Sequence, residues 1–235
     1  KNFSIICGVD PNSSARNRFT KLYKSPAVAQ IEDAKKIEKV DVIVIATPRF
    51  QHLSIIREIF EYFTPTIILC EKPVAEHLSD VLEILSICKK NKCRFVVNFI
   101  RRAEPGVKQI KERLKNGYIT GPFDGTIWYS RGLSNSAIHF IDLITHWLED
   151  TFSIKIVSDN KRIWDGNDPE PKFLISNKYS SFFFSPHPNI NMNFHHAEIF
   201  AKNGRLVYGD GGRSINWAPY QACSLGNKGI EAFSE

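Results

Sequence analysis

Over the first hundred residues, short runs of Val, Ile and Leu alternate with stretches in which apolar residues recur every three or four positions. Residues 3–9, 40–46, 66–70 and 93–100 read as strands buried on both faces. Between them, residues 13–23, 51–62 and 78–90 carry helical periodicity. Leu53, Ile56, Ile59 and Phe60 share one face of the second helix, and Val81, Leu82, Leu85 and Cys88 are expected inward on the third. Asn12 or Ser13 is available to cap the first. Repeated β-α-β units with right-handed crossovers predict an α/β fold with a doubly wound parallel sheet. Such strands end at one edge, so Thr47, Glu71 and Lys72 are expected close together where open α/β sheets bind ligands. A lysine at that edge is a candidate for chemistry.

After Arg101-Arg102 the pattern changes. A helix over residues 105–116 stops at Gly117, a strand covers 123–131, and an amphipathic helix covers 136–149. Beyond Asp150 come short strands and turns, with aromatic alternation over 179–184 and 191–200 and a turn at Gly209-Asp210-Gly211-Gly212. This predicts an α+β domain with a mostly antiparallel, open-faced sheet. The expected division is 1–101 and 102–235.

Composition narrows the class without changing that picture. The 235 residues are 43% hydrophobic and 24% charged, enough for a sizeable core in one or two domains. No apolar run approaches the roughly 18 residues of a membrane span, and no basic-then-apolar leader opens the chain, so a cytoplasmic protein without membrane partners is expected. The five cysteines are odd in number and lack paired C-x-x-C spacing, which fits reduced buried thiols. The net charge of +6 comes from basic residues interleaved with acidic ones, as in Glu32-Asp33-Ala34-Lys35-Lys36-Ile37-Glu38-Lys39. That is a solvated face rather than a nucleic-acid stripe, so no nucleic-acid partner is expected.

Asp10 ends the first visible strand. It can bind the ribose hydroxyls of a dinucleotide and repel a 2′-phosphate, or simply form an Asp-Pro turn. No G-x-G-x-x-G occurs in the sequence. The chain opens on what reads as the second strand of a dinucleotide fold, so the first strand and its phosphate-cradling turn are expected to be missing, and the C-terminal region to be incomplete. Asn135, His139 and Asp142, spaced by four and three, share a helix face or its lead-in; a satisfied core histidine is the competing reading for His139. His195 and His196 point to opposite faces of a strand, His187 sits between prolines, and no carboxylate completes a zinc or iron site, so no metal is expected. Trp128, Tyr129, Trp164 and Trp217 could stack on a sugar but more commonly pack a core or interface.

Taken in order, Asp10, Ala46-Thr47-Pro48 with His52, Glu71-Lys72-Pro73, Asn98 to Arg102, Gly117 to Gly121 and His139-Phe140-Ile141-Asp142 resemble the Gfo/Idh/MocA oxidoreductases, the group of glucose-fructose oxidoreductase and inositol dehydrogenase. The resemblance runs from about Phe3 to Asp150 and more loosely through Arg205 to Trp217. It implies a Rossmann-like NAD(P)-binding domain followed by a substrate-binding and oligomerisation domain, acting on sugars, cyclitols or nucleotide-linked sugars. It implies catalytic roles for Lys72 and His139, with Asn135 beside them. Asp10, Thr47, Pro48, His52, Glu71, Lys72 and Pro73 would contact cofactor, with Asp10 favouring NAD over NADP. The Lys72-Pro73 bond is expected to be cis, and a homodimer or homotetramer is expected through the second-domain sheet.

Many relatives carry Asp and Gly where this chain has Asn135 and Ala137. An amide orients but cannot take a proton, so acid-base work falls to His139 and Lys72, with Asp142 orienting or capping. Two alternatives stand beside dehydrogenation: a non-catalytic scaffold relative that has lost its cofactor loop, and NAD-dependent glycoside hydrolysis.

Overall fold

The structure is a computed structural model describing residues 3–222 apart from positions 38, 160, 190 and 191, together with residues 230–232. Expectations at Asn191 and Cys223 lie outside the described residues. The chain divides into two compact units, Lys1–Asn98 and Phe99–Glu235.

In the first unit, β1 (Gly8–Val9) pairs in parallel with β2 (Ala27–Val28), separated by α1 (Ser13–Tyr23). Asn12 caps α1 by accepting hydrogen bonds from Ser14 N and Ala15 N, and Lys24 closes it in a left-handed conformation. Gly8 is required by close approach, since a Cβ there would sit 2.8 Å from the Phe19 ring. The strand expected over 3–9 is reduced to its last two residues. Its apolar side chains stay largely open to solvent, with Phe3 86%, Ile5 49% and Ile6 42% exposed.

A second parallel ladder joins β3 (Val42–Ile45), β4 (Ile67–Cys70) and β5 (Arg94–Val97) in that order. The crossovers are α2 (His52–Tyr62) and α3 (Leu78–Lys90). Ile45, Ile56, Ile59, Ile68, Cys70, Ile84, Cys88 and Cys93 form the core. α3 departs from its expected inward face. Ile84 and Cys88 are buried, whereas Leu82 and Leu85 are 59% and 46% exposed. The stripe that packs runs through Val81, Ile84 and Cys88, one helical step round from the other pair.

The second unit holds a single eight-stranded sheet. Its strands are β6 (Phe123–Tyr129), β7 (Ser153–Ser158), β10 (Lys172–Ser176), β11 (Ser181–Pro186), β12 (His195–Ala201), β13 (Gly204–Gly209), β14 (Ser214–Ala222) and β15 (Ile230–Ala232). Their order is β15-β14-β13-β12-β6-β11-β10-β7, antiparallel throughout except for the parallel β6–β11 pair. A short hairpin, β8 (Ile163–Trp164) and β9 (Asp168–Pro169), stands apart. Inward residues alternate along the strands, with Phe182 and Phe184 buried on β11 and Phe183 on the other face. Helices α4 (Pro105–Lys115) and α5 (Ile138–Leu148) pack with those inward residues, and Trp147 Nε1 donates to Val107 O at 3.1 Å to tie the helices together. The helix expected over 136–149 begins as a wide π turn, Leu133–Ala137, before α5 proper.

Ile84→Ala should lower stability by roughly 2–4 kcal/mol through the loss of three buried side-chain carbons and the residual cavity they leave, whereas Leu82→Ala should fall within about 0.5 kcal/mol of the parent. Urea unfolding of the two variants checks which stripe of α3 is the packed one.

Candidate active site

At the edge of the first unit, the ladder stops at one level on all three strands, with Ile45 opposite Cys70 and Cys70 opposite Val97. Two further amides extend it. Glu71 N donates to Ile45 O at 2.9 Å and Asn98 N to Cys70 O at 2.7 Å. This sets Glu71 and Asn98 side by side, and Asn98 Nδ2 donates to Glu71 Oε1 at 2.6 Å. Lys72 follows, half-buried, through a cis bond to Pro73. Thr47 lies two residues past the end of β3, and its hydroxyl is buried without a hydrogen-bond partner among the described residues.

His52 opens α2 and is 1% exposed. Its Nδ1 lies 2.8 Å from Val74 O and its Nε2 lies 2.9 Å from Thr47 O. The ring therefore bridges the two loops that carry Thr47 and Lys72, and both nitrogens are committed to protein carbonyls. Cys70 Sγ lies 3.3 Å from the same ring, and burial, with the charge of Glu71 next, pushes this thiol up to about 12. Burial likewise pushes Cys88 up to about 11. Both remain protonated and unreactive at neutral pH.

Asp10 uses Oδ1 to accept from Asn12 N at 2.8 Å, the geometry of an Asx turn. Arg16 holds the same turn by donating to the carbonyls of Asp10 at 2.8 Å and Pro11 at 2.9 Å.

In the second unit, Asn135 is exposed on the π turn and donates to Arg131 O at 3.1 Å. His139 stands in the first turn of α5, half-buried, with the Phe99 ring edge-on to it at 6.3 Å. One turn further on, buried Asp142 accepts from Arg102 Nε at 2.9 Å and from Arg102 Nη2 at 2.5 Å. Arg102 also lies over the Phe99 ring at 5.5 Å. The result is a continuous set of contacts from Asp142 through Arg102 and Phe99 to the His139 ring. Nearby in the unit, Arg101 donates to Tyr208 Oη at 2.5 Å and to Gly211 O at 2.6 Å, fixing the turn at 209–212. Burial pushes the Tyr208 phenol up to about 12.

Residues 1–99 match the model of the GFO_IDH_MocA oxidoreductase family, NAD-binding Rossmann fold. That match spans the first of the two units. Inositol 2-dehydrogenase from Acidothermus cellulolyticus is 25% identical over 186 residues, covering 72% of this chain and 54% of that protein. The chain thus spans about half the length of that relative. The WlbA dehydrogenase from Bordetella pertussis, solved with NADH and UDP-GlcNAcA, superposes with a TM-score of 0.77 at 16% identity, covering 94% of this chain and 71% of the other. A myo-inositol dehydrogenase from Corynebacterium glutamicum gives a TM-score of 0.70 at 18% identity, covering 87% and 67%. Likeness at that identity establishes the Rossmann-plus-sheet fold alone.

The residues of the first unit fit the cofactor that its fold binds. The unpartnered Thr47 hydroxyl and the Glu71 carboxylate stand at the C-terminal ends of parallel strands, where such sheets receive nucleotides. Among the described residues, no group of three His, Cys, Asp or Glu is placed to hold a metal, and no helix is long and apolar enough to cross a membrane.

Sequence reasoning named Asn98 to Arg102 as part of the family pattern without assigning them work. Their partners explain why: Asn98 reaches back 27 residues to Glu71, and Arg102 reaches forward 40 to Asp142. No local spacing announces either pairing.

Arg102→Ala leaves the Asp142 carboxylate buried without its counter-ion and should destabilise the chain by roughly 1–3 kcal/mol. Arg102→Lys should recover only part of that, because an ammonium cannot supply the two-pronged contact. Urea midpoints of both variants at neutral pH provide the check.

Proposed function

We propose that this protein is an oxidoreductase that moves a hydride between NAD and a secondary alcohol or ketone carbon of a sugar, cyclitol or nucleotide-linked sugar. The observation that carries this reading is the first unit's strand edge, where the Glu71–Asn98 pair, next to Lys72 in the chain, and the buried, unpartnered Thr47 hydroxyl follow the ends of neighbouring strands. The substrate class is supported by the inositol dehydrogenase relative and the sugar-nucleotide complex of the WlbA dehydrogenase.

Bound NAD supplies a nicotinamide ring able to accept or return a hydride. Glu71, aligned by Asn98, takes the nicotinamide ribose hydroxyls; Thr47, Pro48 and Pro73 border the cofactor, and His52 holds two of those loops in place. Asp10 keeps one carboxylate oxygen for the adenosine ribose, and its charge disfavours a 2′-phosphate, hence NAD over NADP. Lys72 hydrogen-bonds the reacting hydroxyl and assists departure of its proton. His139 is the second proton-handling group, and Asn135 orients the substrate without taking a proton.

Purified protein given NAD and a panel of myo-inositol, D-xylose, D-glucose and UDP-GlcNAcA should develop reduced-nicotinamide absorbance with at least one of them. Lys72→Ala should lower kcat by about 10²-fold or more while NAD binding is retained. Silence across the panel together with absent NAD binding would remove the reading; NAD binding without turnover would favour the scaffold alternative.

We also propose a homodimer or homotetramer formed through the outer face of the second unit's sheet, where Phe183 and the 47% exposed Phe200 stand among polar neighbours. Light scattering should return at least twice the monomer mass, and Phe200→Glu should shift it towards one. Among the described residues, the free thiols at Cys7, Cys70, Cys88 and Cys93 support a cytoplasmic location.

A further inference from the structure

The second unit buries two carboxylates that the proposed reaction does not use, Asp168 at 6% exposure and Glu170 at 1%. Both belong to the β8–β9 hairpin and its exit, which turns through Asp165 and Gly166 at φ 43° and 80°. Both face the backbone of the turn that leads into α5. Asp168 Oδ1 accepts from Ser134 N at 2.8 Å and Oδ2 accepts from Asn135 N at 2.9 Å. Glu170 Oε1 accepts from Gly132 N at 3.1 Å, while Oε2 pairs with Arg162 at 2.7 Å. A third contact completes the seam, the Arg131 guanidinium lying 5.5 Å over the Trp164 ring. Gly132, at φ 87°, leaves no space between: a Cβ there would fall onto the Asp168 carboxylate.

The first amides of a helix have no acceptor within the helix and are normally capped by a neighbouring side chain. Here the acceptor comes from 33 and 34 residues downstream and takes two successive amides at once. One rigid carboxylate gripping both fixes the position and the rotation of the segment, and its charge suits the positive end of the helix. The gripped residues are Asn135 itself and its neighbour, and His139 follows in the next turn.

We propose that Asp168 is a positioning residue: through the hairpin it sets the start of α5 and so the placement of Asn135 and His139. This rests on the reading that those two side chains handle substrate.

The experiment is amide hydrogen exchange by mass spectrometry on the parent chain, on Asp168→Asn and on Asp124→Asn, a carboxylate on the sheet's other face, paired with kinetics on the best substrate of the panel. Asparagine keeps one acceptor but turns an N–H₂ towards the second amide. Exchange over residues 131–139 should accelerate about tenfold in Asp168→Asn alone, with the core strands unchanged. In the same variant kcat should fall about tenfold, the Kd for NAD should hold, and the isotope effect with substrate deuterated at the oxidised carbon should rise. A loss of folded protein alone would leave that isotope effect where it was.

Unchanged exchange at 131–139, acceleration spread equally over the sheet, or local acceleration with kcat and isotope effect unaltered each overturns the proposal. If Asp168→Asn does not fold, Asp168→Glu, which keeps the charge but misplaces it by a methylene, is read by the same criteria. Absence of turnover across the panel defeats the functional reading instead, and the exchange arm then decides alone whether Asp168 fixes the turn.

Discussion

Hydrogen bonding between short parallel strands is the constraint from which the first unit's chemistry follows. β3, β4 and β5 are four residues each and end level, so the next amides have nowhere to go except across to the preceding strand. Glu71 and Asn98 are thereby fixed at the backbone before any side-chain contact forms. The amide-to-carboxylate bond between them then orients a group that would otherwise swing freely at a sheet edge. Because the loop after β3 and the loop after Lys72 both leave this edge, one buried imidazole spanning Thr47 O and Val74 O is enough to hold them together.

The second unit solves a different problem, the placing of charge inside an aromatic core. Each of these buried carboxylates has a partner supplied from a distant part of the chain: Asp142 from Arg102, Glu170 from the Gly132 amide, Asp168 from two further backbone amides. Removing charges from water is costly, and such pairs rarely add much stability over apolar replacements. Their effect is geometric. Each one ties α5 or its lead-in to another segment, so the helix bearing His139 is held at its start by Asp168 and one turn beyond His139 by Asp142.

How much of this was legible depends on how local the cause was. The β-α-β alternation, the Asn12 cap and the Gly117 stop rest on neighbours in sequence, and they could be read directly. The stripe on α3 was misplaced because Leu82 and Leu85 are as apolar as Ile84, and only the sheet beneath decides which row is covered. The 3–9 strand failed for a related reason, since an apolar run specifies a strand only where another strand lies beside it. In the candidate site, Thr47, Glu71 and Lys72 were grouped by the strand ends that carry them, and the order of family motifs drew attention to His139. The hairpin that grips Ser134 and Asn135 was invisible, because Asp168 and Glu170 sit in a polar, turn-rich stretch that reads as surface.

The histidines show why residue type alone does not assign a role. His52 lies within a family motif, yet at 1% exposure with a carbonyl against each nitrogen it cannot exchange a proton with a substrate. His195 hydrogen-bonds the Ser136 hydroxyl inside the unit, and His196 stacks among Trp128 and Phe194 on the sheet's outer face. His146, further along α5, has its proton affinity lowered, first by burial and then by the charges of Arg102 and Lys111. His139 is placed differently, in the first turn of a helix whose start is pinned, with the Phe99 ring edge-on at 6.3 Å. A proton-transfer group needs a defined position and access together. Of these five histidines, His139 is the one that lies between the two points, Asp168 and Asp142, at which α5 and its lead-in are held.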